Sequence, residues 1–201
     1  MSLGPGVILR DHLRLERELG SGAMGVVWVA ENLTLGNKVA VKILKLHHGV
    51  DEHARARFEQ EARTVAQIDS PHVVRIFEYG LTDDSDPFIV MELLVGRDLK
   101  QLIEQRGALP LDEVATILRQ LCRGLGRAHD LGLIHRDIKP ANIFLLESDG
   151  EAFVKVLDFG IAKATGADLG MTQTGAVMGT PYYMSPEQFV NPRAVDLRSD
   201  L

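Results

Sequence analysis

A change of hydrophobic period partway along the chain limits its fold more than any other feature. In Lys38-Val39-Ala40-Val41-Lys42-Ile43-Leu44 the period is two: Val39, Val41 and Ile43 fall on one face, Ala40, Lys42 and Leu44 on the other. Residues 26–30, 73–79 and 88–93 read as further strands. Among them 53–68 reads as one polar helix, with Phe58, Ala62 and Val65 at helical spacing. From Asp98 onward the period is that of a helix. Val114, Ile117, Leu118, Leu121, Leu125 and Ala128 form a stripe along Leu111–Asp130, with Asp112 and Glu113 in its first turn and Gly132 past its end. Strands first and helices after, divided near 94–96, predict an α+β chain of two lobes: 1–94 strand-rich, 95–201 helical.

Composition excludes several classes of function. The 201 residues suit one domain or two closely coupled lobes, and 45% hydrophobic with 25% charged residues describes a packed chain, not a disordered or fibrous one. A net charge of −6 gives no electrostatic footprint for nucleic acid, which is excluded as a partner, or for anionic membrane. The single cysteine, Cys122, allows no intrachain disulfide, fits a reducing compartment, and reads as a small buried hydrophobe on its helix. No run approaches the ~18 apolar residues of a membrane span, and residues 1–10 lack the apolar stretch of a signal peptide. A cytoplasmic location is expected, compatible with an anchor carried by a segment after Leu201.

Three clusters carry chemistry. Gly20-Ser21-Gly22-Ala23-Met24-Gly25 is a G-x-G-x-x-G run between strands. Its glycines let the backbone close over an anion and turn N–H groups toward it, and the strand that follows argues against a dinucleotide-binding helix. Lys42 stands mid-strand among apolar residues, while Glu61, between Phe58 and Val65, falls on the apolar face of its helix. Pairing the two would relieve the desolvation of both charges. The densest cluster is His135-Arg136-Asp137-Ile138-Lys139-Pro140-Ala141-Asn142, followed sixteen residues after Asn142 by Asp158-Phe159-Gly160. Asp and Asn supply the hard oxygen ligands that Mg2+ takes.

These motifs, in this order, resemble those of the eukaryotic-type Ser/Thr protein kinases, most of all the bacterial members. Val39-Ala40-Val41-Lys42 matches V-A-I-K; His135-Arg136-Asp137 with Asn142 matches H-R-D-L-x-x-x-N, Ile138 replacing Leu; Asp158-Phe159-Gly160 is D-F-G; Ser185-Pro186-Glu187 stands for A-P-E. The resemblance runs from about Leu13 to Leu201 and implies a two-lobed protein-kinase-like fold whose second lobe is incomplete.

By that resemblance Gly20, Ser21, Gly22 and Gly25 cover the phosphates of ATP, Lys42 contacts the α- and β-phosphates, and Glu61 orients Lys42. Asn142 and Asp158 hold Mg2+, or Mn2+ in its place; Asp137 accepts the proton of the attacking hydroxyl and Lys139 steadies the transferred group. Val27, Ala40 and Phe144 enclose adenine, the backbones of Glu92 and Leu94 bond its edge, Met91 guards the pocket behind, and Asp98 contacts ribose. Lys139 and Thr180 mark the Ser/Thr type, so protein Ser or Thr hydroxyls are the expected acceptors. Arg136 would pair with phosphorylated Thr172 and Thr174, formed by autophosphorylation between associating copies. The alternatives are a nucleotide-binding pseudokinase and an inactive truncated fragment. The presence of Lys42, Asp137 and Asp158 argues against the first.

Overall fold

The computed structural model describes residues 3–22, 25–44, 52–146, 152–159, 181–191 and 195–201. Thr172, Thr174, Thr180 and Gly160 lie outside them. The described residues form two compact units, one of residues up to Ala66 together with Arg75–Leu94, the other built from Gln67–Val74 and the described residues from Val95 on.

In the first unit six antiparallel strands pair in the order β1-β2-β3-β4-β6-β5. They are β1 (Ile8–Leu9), β2 (Leu13–Gly22), β3 (Gly25–Asn32), β4 (Asn37–Leu44), β5 (Ile76–Leu81) and β6 (Pro87–Glu92). The alternation on β4 separates two environments. Val39, Val41 and Ile43 face a core shared with Leu13, Leu15 and Phe88. On the opposite face Lys42 lies across from Val27 on β3 and Ile89 on β6, and Ala40 across from Val29 and Met91. Two register shifts in β2, between Leu15 and Arg17 and between Glu18 and Gly20, twist the ribbon that carries the glycines. Gly25 closes that ribbon at φ +145°, where a Cβ would meet the Ile43 carbonyl oxygen at 2.1 Å. Helix α1 (Glu52–Ala66) buries Phe58, Ala62 and Val65, as their spacing predicts, and the Arg63 Nε–H donates to the Tyr79 hydroxyl on β5 at 2.7 Å.

The second unit holds β7 (Gly96–Asp98), α2 (Leu99–Arg106), α3 (Leu111–Asp130), β8 (Ile143–Leu146), β9 (Phe153–Val156) and the short α4 (Pro186–Val190). The small sheet has the order β7-β8-β9. Residues 67–74 belong here because their bonds lead here: Val156 N–H donates to His72 O at 2.8 Å, Val74 N–H to Val156 O at 3.0 Å, and His72 Nδ1–H to Val154 O at 3.0 Å. Helix α3 supports β9 through Gln120, whose amide donates to Ala152 O and accepts from Val154 N–H, replacing a missing neighbouring strand. Among the described residues no helix is long and apolar enough to cross a membrane.

The stripe on α3 departs from expectation on one side. Ile117, Leu121, Gly124, Leu125 and Ala128 are buried, whereas Leu118 is half exposed and Cys122 is exposed, not the buried hydrophobe its sequence context suggests. Gly124 sets the rotation: it lies so close to residue 72 that a Cβ would meet His72 O at 2.9 Å. At about 100° per residue, Cys122 then falls outside the contact arc centred near Leu121, and Leu118 at its edge.

Candidate active site

The most highly organised polar cluster of the second unit surrounds Asp137. The loop before it is anchored by a buried carboxylate: Asp200 accepts the main-chain N–H of His135 at 2.7 Å and of Arg136 at 2.8 Å, and the Nε2–H of His129 on α3 at 2.8 Å. The Asp200 side chain has no solvent exposure, and three donors on two oxygens offset the cost of burying its charge.

His135 is fully buried with both ring nitrogens assigned by their partners. Nε2–H donates to Leu157 O at 2.7 Å, and Nδ1 accepts the N–H of Asp137 at 3.2 Å. The second bond requires the neutral ring. Burial likewise holds the His135 pKa below its usual range, outweighing the Leu157 carbonyl and the neighbouring carboxylates. The ring packs on buried Phe159 with centroids 4.7 Å apart. Arg136, φ +63°, and Asp158, φ +55°, both take the left-handed conformation that non-glycine residues rarely adopt, and each adjoins a catalytic-loop or D-F-G residue fixed in this way.

On this frame the Asp137 Oδ2 accepts from Lys139 Nζ at 2.7 Å and from Asn142 Nδ2 at 2.9 Å, and Asn142 Nδ2 also donates to the Asp137 main-chain oxygen at 2.8 Å. Asn142 is buried on a single 3-10 turn and accepts Leu157 N–H at its own carbonyl, which brings it beside the segment leading to Asp158. Three residues named from sequence, Asp137, Lys139 and Asn142, therefore form one hydrogen-bonded group. With its amide nitrogen engaged twice, Asn142 has Oδ1 as the end suited to a cation. Among the described residues no three His, Cys, Asp or Glu side chains form a cage for a metal. Mg2+ is commonly held by one or two protein groups plus phosphates, and Asn142 and Asp158 each carry oxygen of the type it takes.

Three of the residues named in the first unit share a sheet face. Val27, Ala40 and Lys42 lie side by side across β3 and β4, with Lys42 buried and Val27 half-buried. Glu61 is half-buried on α1. Among the described residues, Gly20 and Gly22, unlike Gly25, have nothing within 4 Å of where a Cβ would stand, so the described chain does not require glycine at either. Glu92 is held by Arg75: its N–H donates to Arg75 O at 3.0 Å, and its Oε1 accepts Arg75 N–H at 2.7 Å. Leu94 is the last described residue of this unit. In the second unit Phe144 sits opposite Asp98 and Lys155 in the small sheet. Asp98 caps α2, its Oδ1 accepting Gln101 N–H at 2.8 Å.

Two residues of this cluster were not read from sequence. His129 shares Asp200 with the loop, and nothing local distinguishes it from another polar residue in a last helical turn. Gln188 on α4 donates from Nε2 to the Arg136 carbonyl at 2.7 Å. Its signal was the Ser185-x-x-Gln188 spacing of a capping box. Beside it, the Ser199 hydroxyl donates to Glu187 Oε1 and holds that carboxyl below its usual range.

Comparison with known proteins matches residues 13–201 to the model of the protein kinase domain. The chain is 42% identical over 201 residues to the serine/threonine-protein kinase pkn2 of Myxococcus xanthus, covering 97% of this chain and 23% of that protein. It is 42% identical over 192 residues to the serine/threonine-protein kinase PknA of Mycobacterium tuberculosis, covering 94% and 44%. It is 40% identical over 198 residues to the probable serine/threonine-protein kinase PknB of Corynebacterium glutamicum, covering 96% and 30%. The chain thus spans less than half the length of these curated relatives. Among solved structures, the PknI kinase domain of M. tuberculosis superposes with a TM-score of 0.79 at 29% identity, over 99% of this chain and 73% of that one.

Proposed function

This chain belongs to the protein kinase domain family, and from that premise we propose that it transfers the γ-phosphoryl group of Mg-ATP to serine or threonine hydroxyls of protein substrates. One observation carries the reading beyond family membership. The Asp137 carboxylate is held on a buried frame with an ammonium and an amide donor on the same oxygen. That retained arrangement favours transfer over a pseudokinase. Its other oxygen is the one suited to take the proton of an acceptor hydroxyl, while Lys139 supplies positive charge where the transferred group gains negative charge.

Of the first unit, the backbones of Gly20, Ser21, Gly22 and Gly25 would follow the phosphates. That Gly20 and Gly22 meet no neighbour leaves close approach of a ligand as the reason for their size. Lys42, oriented by Glu61, would bind the α- and β-phosphates, and Val27, Ala40 and Phe144 would each pack on adenine. Main-chain groups of Glu92 and Leu94 would bond the adenine edge. Asp98 serves α2 as its cap, and a ribose contact would fall to its second oxygen. Asn142 and Asp158 would hold Mg2+, which would supply positive charge to neutralise the phosphates. The rest is positioning, since a loose phosphoryl transition state leaves little covalent work to the protein.

Regulation follows the same reading. Phosphates on Thr172 and Thr174, added by a second copy, would pair with Arg136 and raise activity. The cytoplasm, where ATP is the available donor, is the location that fits.

The test is incorporation of labelled phosphate from γ-labelled ATP into a generic Ser/Thr protein substrate by the full-length protein, with Asp137→Asn and Asp158→Asn as partners. Transfer by the parent and its loss in both variants, with unchanged melting, is the expected outcome. A parent that binds ATP without transfer would return the reading to a pseudokinase. Mass spectrometry after incubation with Mg-ATP should find phosphate on Thr172 and Thr174, and full activity in the Thr172→Ala, Thr174→Ala double variant would defeat the regulatory part.

A further inference from the structure

The peptide unit joining Arg136 to Asp137 is gripped at both of its polar ends. Its N–H, that of Asp137, enters the buried ring of His135 at Nδ1, 3.2 Å away. Its carbonyl, that of Arg136, accepts from Gln188 Nε2 at 2.7 Å. The peptide before it is tied as well, since the Arg136 N–H goes to Asp200. Three side chains thus set the planes on either side of a residue in the left-handed conformation, φ +63°. Two of them, His135 and Asp200, are buried and belong to the frame already described. The third is different. Gln188 lies 52 residues from Arg136 on α4, a single helical turn at the surface.

The Gln188 amide is itself oriented. Oε1 accepts the Ser185 N–H at 2.9 Å and lies 3.4 Å from the Ser185 hydroxyl, which turns Nε2 toward Arg136. An amide bonded at both ends transmits position: if Ser185 moves, the donor leaves the carbonyl, and the peptide plane that aims Asp137 loses one of its two holds. We infer that Gln188 is a positioning residue for Asp137, coupling the conformation of segment 181–191 to the aim of the proposed base. The inference rests on the assignment of Asp137 to the transfer step, but the coupling itself is a statement about the fold.

Gln188→Glu tests it, in the full-length protein. Glutamate keeps the acceptor for Ser185 but puts an oxygen where the donor stood, facing the Arg136 carbonyl. Gln188→Met, of similar length and without either bond, is the second variant should the first not fold. Two measurements are made: steady-state phosphoryl transfer, and amide hydrogen exchange by mass spectrometry on peptides covering 133–139. The expected result is a kcat lower by about 10- to 100-fold, KM for ATP within about two-fold of the parent, and faster exchange confined to 133–139 and 181–191. Unchanged exchange at 133–139, an unchanged kcat, or acceleration spread over the whole chain with a lower melting temperature would each overturn the inference. If the parent transferred no phosphate, the proposed function would fall, and the exchange measurement would still decide the coupling.

Discussion

Asp200 and His129 meet at 2.8 Å, Oδ2 to Nε2, across 71 residues of chain. The same oxygen also accepts the His135 N–H. The end of α3, the start of the catalytic loop and the residues around 200 therefore share one buried anion, whose loss reaches all three.

Replacing Asp200 with Asn tests that arrangement. An amide has one acceptor in place of two and points N–H groups at N–H groups in a site closed to solvent. Denaturant unfolding of the Asp200→Asn protein should show a loss of about 2–4 kcal/mol, with phosphoryl transfer reduced further than stability alone explains.

Two glycines separate fold from function in the first unit. Gly25→Ala puts a Cβ against the Ile43 carbonyl at a backbone conformation closed to L residues, and should cost about 2 kcal/mol or more. Gly22→Ala meets nothing within 4 Å. Its melting temperature should stay near the parent's while KM for ATP rises. A large drop in melting for Gly22→Ala would mean the glycine serves the fold.

Lys42→Met keeps the length and apolar stem of a buried strand residue and removes its charge. Transfer should fall by about 100-fold or more, with thermal melting close to that of the parent. Turnover near the parent's would remove Lys42 from the site.

Acid should weaken the fold through His135. Its folded-state pKa lies below the 6.5 of the free side chain, with burial as the main cause. Above about pH 6.5 both states are neutral and the group adds no slope. As pH falls from 6.5 toward the folded-state value, the unfolded chain binds a proton that the native ring refuses, and stability declines. His12 acts in the opposite sense. Its pKa is raised by the Arg10 carbonyl and by Glu78, so its contribution is full below 6.5 and lost as pH rises through the folded-state value. The measurement is therefore a difference: chemical denaturation of parent and His135→Gln between pH 5 and 8, in which His12 cancels. The parent should lose stability below pH 6.5 relative to the variant; parallel curves would contradict the assignment.

How much of this was legible in the sequence depended on how local its cause was. The division of β4 into a core face and a Lys42 face followed from alternation, and α3 runs over Leu111–Asp130 as its periodicity and first-turn acids predict. Residues decided by distant partners were not legible. Cys122 looked buried because Leu118, Leu121 and Leu125 surround it in sequence, but the contact of Gly124 with residue 72 turns the helix so that Cys122 faces out. Gln188 shows its capping box in the Ser185 spacing but not its bond to Arg136, 52 residues away. Asp98 was read for ribose alone, although its spacing to Gln101 is that of the capping box it forms.

Residues 67–74 have a consequence for the order in which the chain acquires structure during synthesis. His72 leaves the ribosome 82 residues before Val154, the residue its ring will bond. The strands of the first unit are all present once Glu92 has emerged. The carbonyl of His72 and the N–H of Val74 wait for β9, exposed to water in the meantime. The second unit thus draws on two stretches of chain separated by the whole of β5 and β6.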